Sequence, residues 1–432
     1  MMTSPTSTSR RQFLKTSALA GGALVAPAIL RGQSASGNDQ TLKVGLVGCG
    51  GRGTGAASQT LHADNNVVLT ALADVYPDKI QATLEILRKD IPDKVKVEED
   101  HCFTGLDAFQ KLIDSGVDVV LLATPPGFRP QHLRAAVAAN KHIFCEKPVA
   151  TDGPGVRSVF ETVAMAKEKK LALVSGFCWR YNYAEQGLFE RLLDGHIGVI
   201  EAIYATYYTG VVRPMPAASQ RPGGSTDLDW QLRNWYNFNW LSGDGYVEQA
   251  VHAVDWMCWA MHDVPPAKAV AVGGRQIPSE GGNIYDHFAV NYEYANGTKG
   301  FLASRQQAGC SNDNSAYFMG TDGNARELGF AGMPFIRSSK PWKYAGPRPN
   351  MYDVEHQEMY KSIRAGNPIN NGERMTRTTL TAIMGRMAAY TGKEITWDMA
   401  LNSQERLVPP NITWDMTLPV VPVARPGESQ YV

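Results

Sequence analysis

The heptapeptide Val47-Gly48-Cys49-Gly50-Gly51-Arg52-Gly53 constrains this chain more than any other feature. Its glycines at 48, 50 and 53 read GxGxxG. The apolar run Leu42–Val47 leads into it, residues 56–61 open a helical pattern behind it, and Asp74 closes the next apolar run, 21 residues after Gly53. Strand, glycine turn, helix N-terminus and a second strand ending in a carboxylate form the full context of a dinucleotide-binding turn. Gly48 permits the tight turn, Gly50 lets the backbone approach a pyrophosphate, and Gly53 allows the helix to pack closely on the strand. The unpaired N–H groups of the helix N-terminus, including those of Gly51 and Arg52, then face the anion. Asp74 is expected to accept from the adenosine ribose. A carboxylate there favours NAD, while Arg52 is close enough in sequence to keep NADP open.

Apolar runs at 67–73, 119–123, 143–145 and 171–175 alternate with helical patterns at 77–89, 132–139 and 155–169. Such alternation predicts α/β architecture with a doubly wound parallel sheet and helices on both faces. Beyond about residue 180 the character changes. Runs at 199–208, 267–272, 288–294 and 300–304 are rich in β-branched and aromatic residues between Gly, Pro and Asn turns, and predict a second, largely antiparallel open sheet. Helical patterns interrupt it at 247–261, 354–365 and 377–390. A chain of 432 residues exceeds what one core usually supports. The expected organisation is 1–36 as a signal segment, 37–178 as the dinucleotide-binding domain and 179–432 as an α/β substrate domain whose C-terminal helices return to the first.

The signal reading rests on Ser9-Arg10-Arg11-Gln12-Phe13-Leu14-Lys15 ahead of the apolar, small-residue stretch 18–30. This is the twin-arginine export pattern and predicts a periplasmic or otherwise extracytoplasmic protein. No later run reaches the roughly 18 apolar residues of a spanning helix, so no membrane span is expected in the mature body. The 42 basic residues balance the 42 acidic ones. With no basic run past the N-terminus, nucleic acid and anionic membranes are not expected as partners, and a small neutral substrate fits better. Cys49, Cys102, Cys145, Cys178, Cys258 and Cys310 are scattered without metal-ligand spacing, so neither a metal site nor an essential disulfide is expected.

Two tripeptides follow strands of the first domain, at the edge where open α/β sheets bind ligands. Thr124-Pro125-Pro126 is expected to line the dinucleotide groove. In Glu146-Lys147-Pro148 the proline holds Lys147 extended, and the peptide between them is a candidate for the cis form. A lysine beside a cationic nicotinamide in a partly dry cleft has its pKa lowered toward the range useful for proton transfer. Farther on, helical spacing places Val247, Val251, Val254, Cys258 and Met261 on one buried stripe and Glu248, His252 and Asp255 on an adjacent face. A carboxylate three or four residues away can orient His252 while it exchanges a proton with a substrate hydroxyl. The pair Lys147 and His252 predicts a rate that depends on an ionisation between about pH 6 and 8. Arg180-Tyr181-Asn182 and Arg233-Asn234-Trp235 set planar donors beside aromatic faces, a combination suited to sugar hydroxyls and rings.

The turn GCGGRG, the Thr-Pro-Pro loop and Phe144-Cys145-Glu146-Lys147-Pro148, at these spacings, resemble the glucose-fructose oxidoreductase, inositol dehydrogenase and rhizopine-catabolism (Gfo/Idh/MocA) family. The resemblance covers nearly the whole mature chain. It implies a Rossmann domain followed by an α/β domain whose open sheet carries the substrate, with a homo-oligomer formed through that sheet. It also implies that Lys147 is catalytic and touches the cofactor. Glu248, His252 and Asp255 resemble the acid-x-x-x-His-x-x-Asp pattern of inositol dehydrogenase-like members, with glutamate where aspartate is common. The activity implied is NAD-dependent hydride transfer to or from a sugar or cyclitol carbon. An exported enzyme meets little free NAD, so a redox-neutral reaction on a tightly held cofactor is the alternative: sugar-to-sugar oxidoreduction, epimerisation or glycoside cleavage. A sugar sensor is a third reading, against which Lys147 and His252 speak.

Overall fold

The computed structural model describes residues 40–277, 279 and 281–430. The segment 1–36 and its expected export signal lie outside them. Strands β1 (Leu42–Val47), β2 (Val67–Asp74), β3 (Cys102–Thr104), β4 (Val119–Leu122), β5 (His142–Cys145) and β6 (Leu173–Ser175) form a six-stranded sheet. Their order is β3-β2-β1-β4-β5-β6, and every pairing is parallel. A parallel sheet needs helices on both faces, which is why β4 is buried at all four positions and its sequence is unbroken Val-Val-Leu-Leu. The strand order reverses between β1 and β4, so the ligand crevice opens beyond their carboxyl ends. The alternation in the sequence predicts this sheet. It does not predict β3, three partly exposed residues with no apolar run.

The second sheet has nine strands. They are β7 (Ile200–Thr209), β8 (Lys268–Gly274), β9 (His287–Glu293), β10 (Lys299–Gln306), β11 (Asp313–Gly320), β12 (Gly323–Glu327), β13 (Phe335–Ser338), β14 (Trp342–Lys343) and β15 (Ile395–Thr396). The order is β14-β13-β12-β11-β7-β10-β9-β8-β15, antiparallel except where β7 and β10 run parallel. One face is covered by the helix Gly372–Thr391, which is buried along most of its length. At Gly385 a Cβ would stand 2.4 Å from the Tyr292 hydroxyl, so glycine is what lets that helix sit on β9. On the other face Tyr204, Val270, Val272 and Phe301 are exposed.

The helix Met351–Arg364 returns to the first sheet's layer. His356 Nδ1 lies 2.8 Å from the Thr60 hydroxyl of the helix Gly51–Ala63, and Arg364 makes two hydrogen bonds of 3.0 and 3.1 Å to the Asp64 carboxylate. The expected helix at 247–261 divides into a π-helical turn, Tyr246–Ala250, and an α-helix, Val251–Ala260. Every residue from 251 to 258 is buried, so the helix is core on all sides rather than along one stripe. Among the described residues no helix is long and apolar enough to cross a membrane.

Candidate active site

The glycine turn forms a cradle. Gly48 has φ +98°, and a Cβ there would lie 2.8 Å from the Ala123 carbonyl carbon; a Cβ on Gly53 would lie 1.9 Å from the Gly48 oxygen. These two glycines close the strand-helix contact. Gly50 and Gly51 meet nothing within 4 Å, so their faces open on the groove, and the helix N-terminus at Gly50 carries no side-chain cap. Free N–H groups and open space together fit a dinucleotide pyrophosphate. At the end of β2 the Asp74 carboxylate accepts from the backbone N–H of Cys49 (2.7 Å) and Tyr76 (3.0 Å). Burial raises its pKa against those two bonds. Arg52 turns away from this end. Its guanidinium pairs with Glu146, donates to Gln59 Oε1 at 2.9 Å and lies over the Tyr352 ring, so it offers the ribose no cation. Thr124 sits 3.2 Å from His132 Nδ1, and Pro125 accepts from the N–H of Phe128, which closes the turn after β4.

The cradle, Asp74, Thr124, Pro125, Glu146, Lys147, Glu248 and His252 line one cavity of about 710 Å³. The Lys147–Pro148 peptide is cis. Lys147 Nζ donates to the Glu248 carbonyl at 2.7 Å and to its carboxylate at 3.3 Å, with both side chains buried. The other Glu248 oxygen accepts from Gln249 Nε2 (2.6 Å), and Gln249 Oε1 accepts from the Tyr207 hydroxyl (3.0 Å). His252 stands between the rings of Phe177 and Tyr207, centroids 6.2 and 6.4 Å away, and its Nδ1 is buried without a partner. Burial, and after it the charge of Lys147, push His252 well below its ordinary pKa. The imidazole is therefore neutral at neutral pH, which corrects the expectation that it titrates between pH 6 and 8.

Asp255 does not orient His252. Its carboxylate takes a two-point ion pair from Arg180, Nε at 2.8 Å and Nη2 at 2.9 Å, and a hydrogen bond from Thr378 at 3.1 Å. This corrects the expected face shared by Glu248, His252 and Asp255. Helical spacing fixes directions around one axis, but this helix is buried all round and Asp255 points to a different neighbour. Arg180 is equally committed, holding Asp263 as well and lying over the Trp259 ring, so it offers no donor to a sugar. Tyr181 is buried and accepts from Asn371 at 2.7 Å; Asn182 caps the helix Tyr183–Leu193 through the N–H of Ala184. The substrate role expected for these three is corrected to a structural one, and none of them lines the cavity.

Arg233 and Trp235 do line the cavity, on the wall that also carries Tyr76. The Tyr76 hydroxyl donates to Asp229 at 2.8 Å, and the Arg233 guanidinium lies 4.0 Å from the Tyr76 ring centroid while its Nε donates to the same carboxylate at 3.0 Å. Leu228, Leu232, Phe238, Trp240 and Leu241 pack with Val75, Tyr76, Leu106 and Phe128 of the first domain. The helix Asp227–Arg233 thus roofs the groove at the Asp74 end. The C-terminal tail binds the roof in turn: Gln231 Nε2 donates to the Leu418 carbonyl (2.7 Å), and the Leu418 N–H to Asp227 (3.1 Å). Tyr207, Gln249, Tyr236, Arg129, Trp179 and Phe330 are cavity residues that the sequence did not flag. Gln249 lies in the π-helical turn, where its Nε2 donates to the neighbouring Glu248 carboxylate, a contact that helical spacing does not predict.

Residues 42–177 match the oxidoreductase family with the NAD-binding Rossmann fold (Gfo/Idh/MocA), and residues 188–326 match its C-terminal domain. An inositol 2-dehydrogenase of Agrobacterium fabrum is 32% identical over 213 residues, 49% of this chain and 57% of that protein. The matched stretch is thus less than two thirds of that relative's length. Among solved structures, an aldose-aldose oxidoreductase from Caulobacter crescentus complexed with glycerol superposes with a TM-score of 0.66 at 18% identity, covering 83% of this chain and 100% of that one. A levoglucosan dehydrogenase in complex with NADH and levoglucosan gives 0.66 at 20%, covering 83% and 99%. At these identities the structures speak for the fold alone.

Proposed function

The chain belongs to the Gfo/Idh/MocA oxidoreductase family, and from that premise we propose that it transfers a hydride between NAD and a hydroxyl-bearing carbon of a sugar or cyclitol. One observation carries the reading: a buried ammonium and a neutral imidazole share the cavity of the glycine cradle. When bound, the dinucleotide supplies the hydride acceptor. Lys147, held by Glu248, donates a hydrogen bond to the reacting oxygen. His252 takes the hydroxyl proton, which a charged lysine could not do. The carbinol thereby loses a hydride and a proton and becomes a carbonyl, and reduction runs the same transfers in reverse. Lys147→Ala, assayed on a library of sugars and cyclitols with NAD occupancy measured separately, is expected to keep NAD and lose turnover. Turnover at the wild-type rate would overturn the assignment.

The roof over the groove favours a second reading, in which NAD stays bound and the net reaction is redox-neutral. Leaving would require the hydrophobic contact of Leu228 and Leu232 with Val75 and Tyr76, and the bonds of the tail to Asp227 and Gln231, to open. An aldose-aldose oxidoreductase stands among the structural neighbours. The reading requires nicotinamide absorbance that survives dialysis and product that forms without added NAD; a strict need for added NAD would remove it. Export is proposed from the twin arginines alone, and cell fractionation of Arg10→Lys with Arg11→Lys tests it by retention in the cytoplasm. Pairing of copies through the open face of the second sheet is proposed from the exposed Tyr204, Val270, Val272 and Phe301. A sedimentation mass equal to one chain would end that proposal.

A further inference from the structure

Phe330 stands 76% exposed at the catalytic cavity, in the loop between β12 and β13, with its ring centroid 4.6 Å from that of Trp179. An apolar ring left in water at the rim of the cavity is a contact face that the fold itself does not use. The loop is built to present it. Gly329 has φ +53°, and a Cβ there would lie 2.5 Å from the Asn314 carbonyl oxygen, so the backbone presses on β11. The Gly329 N–H donates to Glu327 Oε1 at 2.6 Å.

Trp179 is backed in a parallel way. Its ring packs on the ring of Trp256 at 5.5 Å, and Trp256 Nε1 donates to Glu185 Oε2 at 2.8 Å. Glu185 and Glu327 are both buried, burial and then the charge of Glu327 push Glu185 well above the ordinary carboxylate range, and Glu185 Oε1 and Glu327 Oε2 have no hydrogen-bond partner. Two neighbouring buried carboxyls do not ionise together, because each charge raises the cost of the other. One carboxyl therefore fixes the loop that carries Phe330, and the other fixes the indole beneath Trp179. Two residues before Trp179, the Phe177 ring meets His252 edge-on, which sets the pair beside the catalytic centre.

We propose that Phe330, standing on Trp179, forms a second sugar-binding subsite next to the catalytic one, and that it takes the neighbouring ring of a glycoside. The substrate class is then a linked sugar rather than a free monosaccharide. This rests on the sugar reading above. A pyranose ring presents an apolar C–H face that packs on an aromatic ring, and the platform offers that and little else. The cation next in sequence, Arg180, is held by Asp255 and Asp263, so it is not free to receive the diphosphate of a nucleotide sugar.

The test is calorimetric titration of the NAD-loaded protein with glucose and galactose and with maltose, cellobiose, lactose and melibiose. At least one disaccharide is expected to bind about tenfold more tightly than its component monosaccharides, roughly the worth of one aromatic contact. Phe330→Ala should remove that advantage, lowering disaccharide affinity about tenfold more than monosaccharide affinity, and Phe330→Trp should restore it. Equal affinity for single and linked sugars in the wild type, or an advantage that survives Phe330→Ala, overturns the subsite and leaves the sugar reading standing. No sugar of either length binding overturns both. A change of sedimentation mass in Phe330→Ala would assign the exposed ring to contact between copies and overturn the subsite alone.

Discussion

Lys147 Nζ reaches Glu248 twice, at 2.7 Å to its backbone carbonyl and 3.3 Å to its carboxylate, joining two residues 101 apart in the chain. The link holds the tripeptide turn of the first domain to the π-helical turn of the second. It also gives a buried ammonium its counter-charge. Glu248→Gln keeps the shape and removes the counter-charge, so the ammonium is held less firmly at the reacting oxygen. The expected result is retained NAD and kcat lower by about tenfold or more. Glu248→Asp should recover part of the loss. A rate unchanged in Glu248→Gln would reduce the pair to packing.

Acid should unfold this protein partly through its histidines. Burial, with Arg129 nearby, pushes His132 down to about 3, and burial with Arg52 nearby does the same to His356. Between those values and the unfolded value of about 6.5, the unfolded chain binds more protons than the native one. Their contribution is therefore present above about pH 6.5 and is lost as pH falls toward 3. Tm should decline across that window. His356→Gln should flatten the decline, since the carboxyls contribute equally to both proteins. An identical slope in variant and wild type would show that His356 is protonated at no cost.

The parts of the site that were legible in the sequence are local. Gly48, Gly50, Gly53 and Asp74 sit on one strand-turn-helix-strand unit, and Lys147 follows its strand directly, so short-range rules place them. Asp255 and Arg180 were misread because each is claimed by a partner 75 residues away, and helical spacing gives direction without saying what lies there. The roof was hidden for the same reason, since Asp229 meets Tyr76 across 153 residues. Strands β11 to β13 were missed locally. Asp-Asn-Ser opens β11 and Gly-Asn opens β12, and pairing in the sheet overrode those turn-like starts.

The Arg180–Asp255 pair predicts a variant that is unstable and still competent. Both side chains are 3% exposed, and Asp255→Asn leaves a buried guanidinium with only Asp263 to face. Breaking such a pair costs about 3–5 kcal/mol. The denaturation midpoint should fall accordingly, while kcat per folded molecule stays within about twofold of wild type, a change below roughly 0.5 kcal/mol in the barrier. If kcat collapses and the midpoint holds, Asp255 belongs to the proton-transfer machinery after all.

Two glycines of one turn should fail in different ways. A methyl on Gly53 would meet the Gly48 carbonyl oxygen at 1.9 Å, a backbone atom that cannot move unless the helix lifts from β1. Gly53→Ala is therefore expected to cost more than about 3 kcal/mol or to prevent folding. Gly50 has φ −79° and ψ 179°, which alanine adopts freely, and a methyl there meets nothing within 4 Å. Without cofactor, Gly50→Ala should match the wild-type stability to within about 1 kcal/mol, the small cost of alanine at a helix N-cap. The methyl would project into the space assigned to the pyrophosphate, so NAD affinity should fall about tenfold or more. Thermal shift reads both effects, because a ligand that binds only the native state stabilises it by RT ln(1 + [L]/Kd). Wild type should gain stability on addition of NAD, and Gly50→Ala should gain little. A full shift in Gly50→Ala would move the pyrophosphate off this turn and take the assignment of the cradle with it.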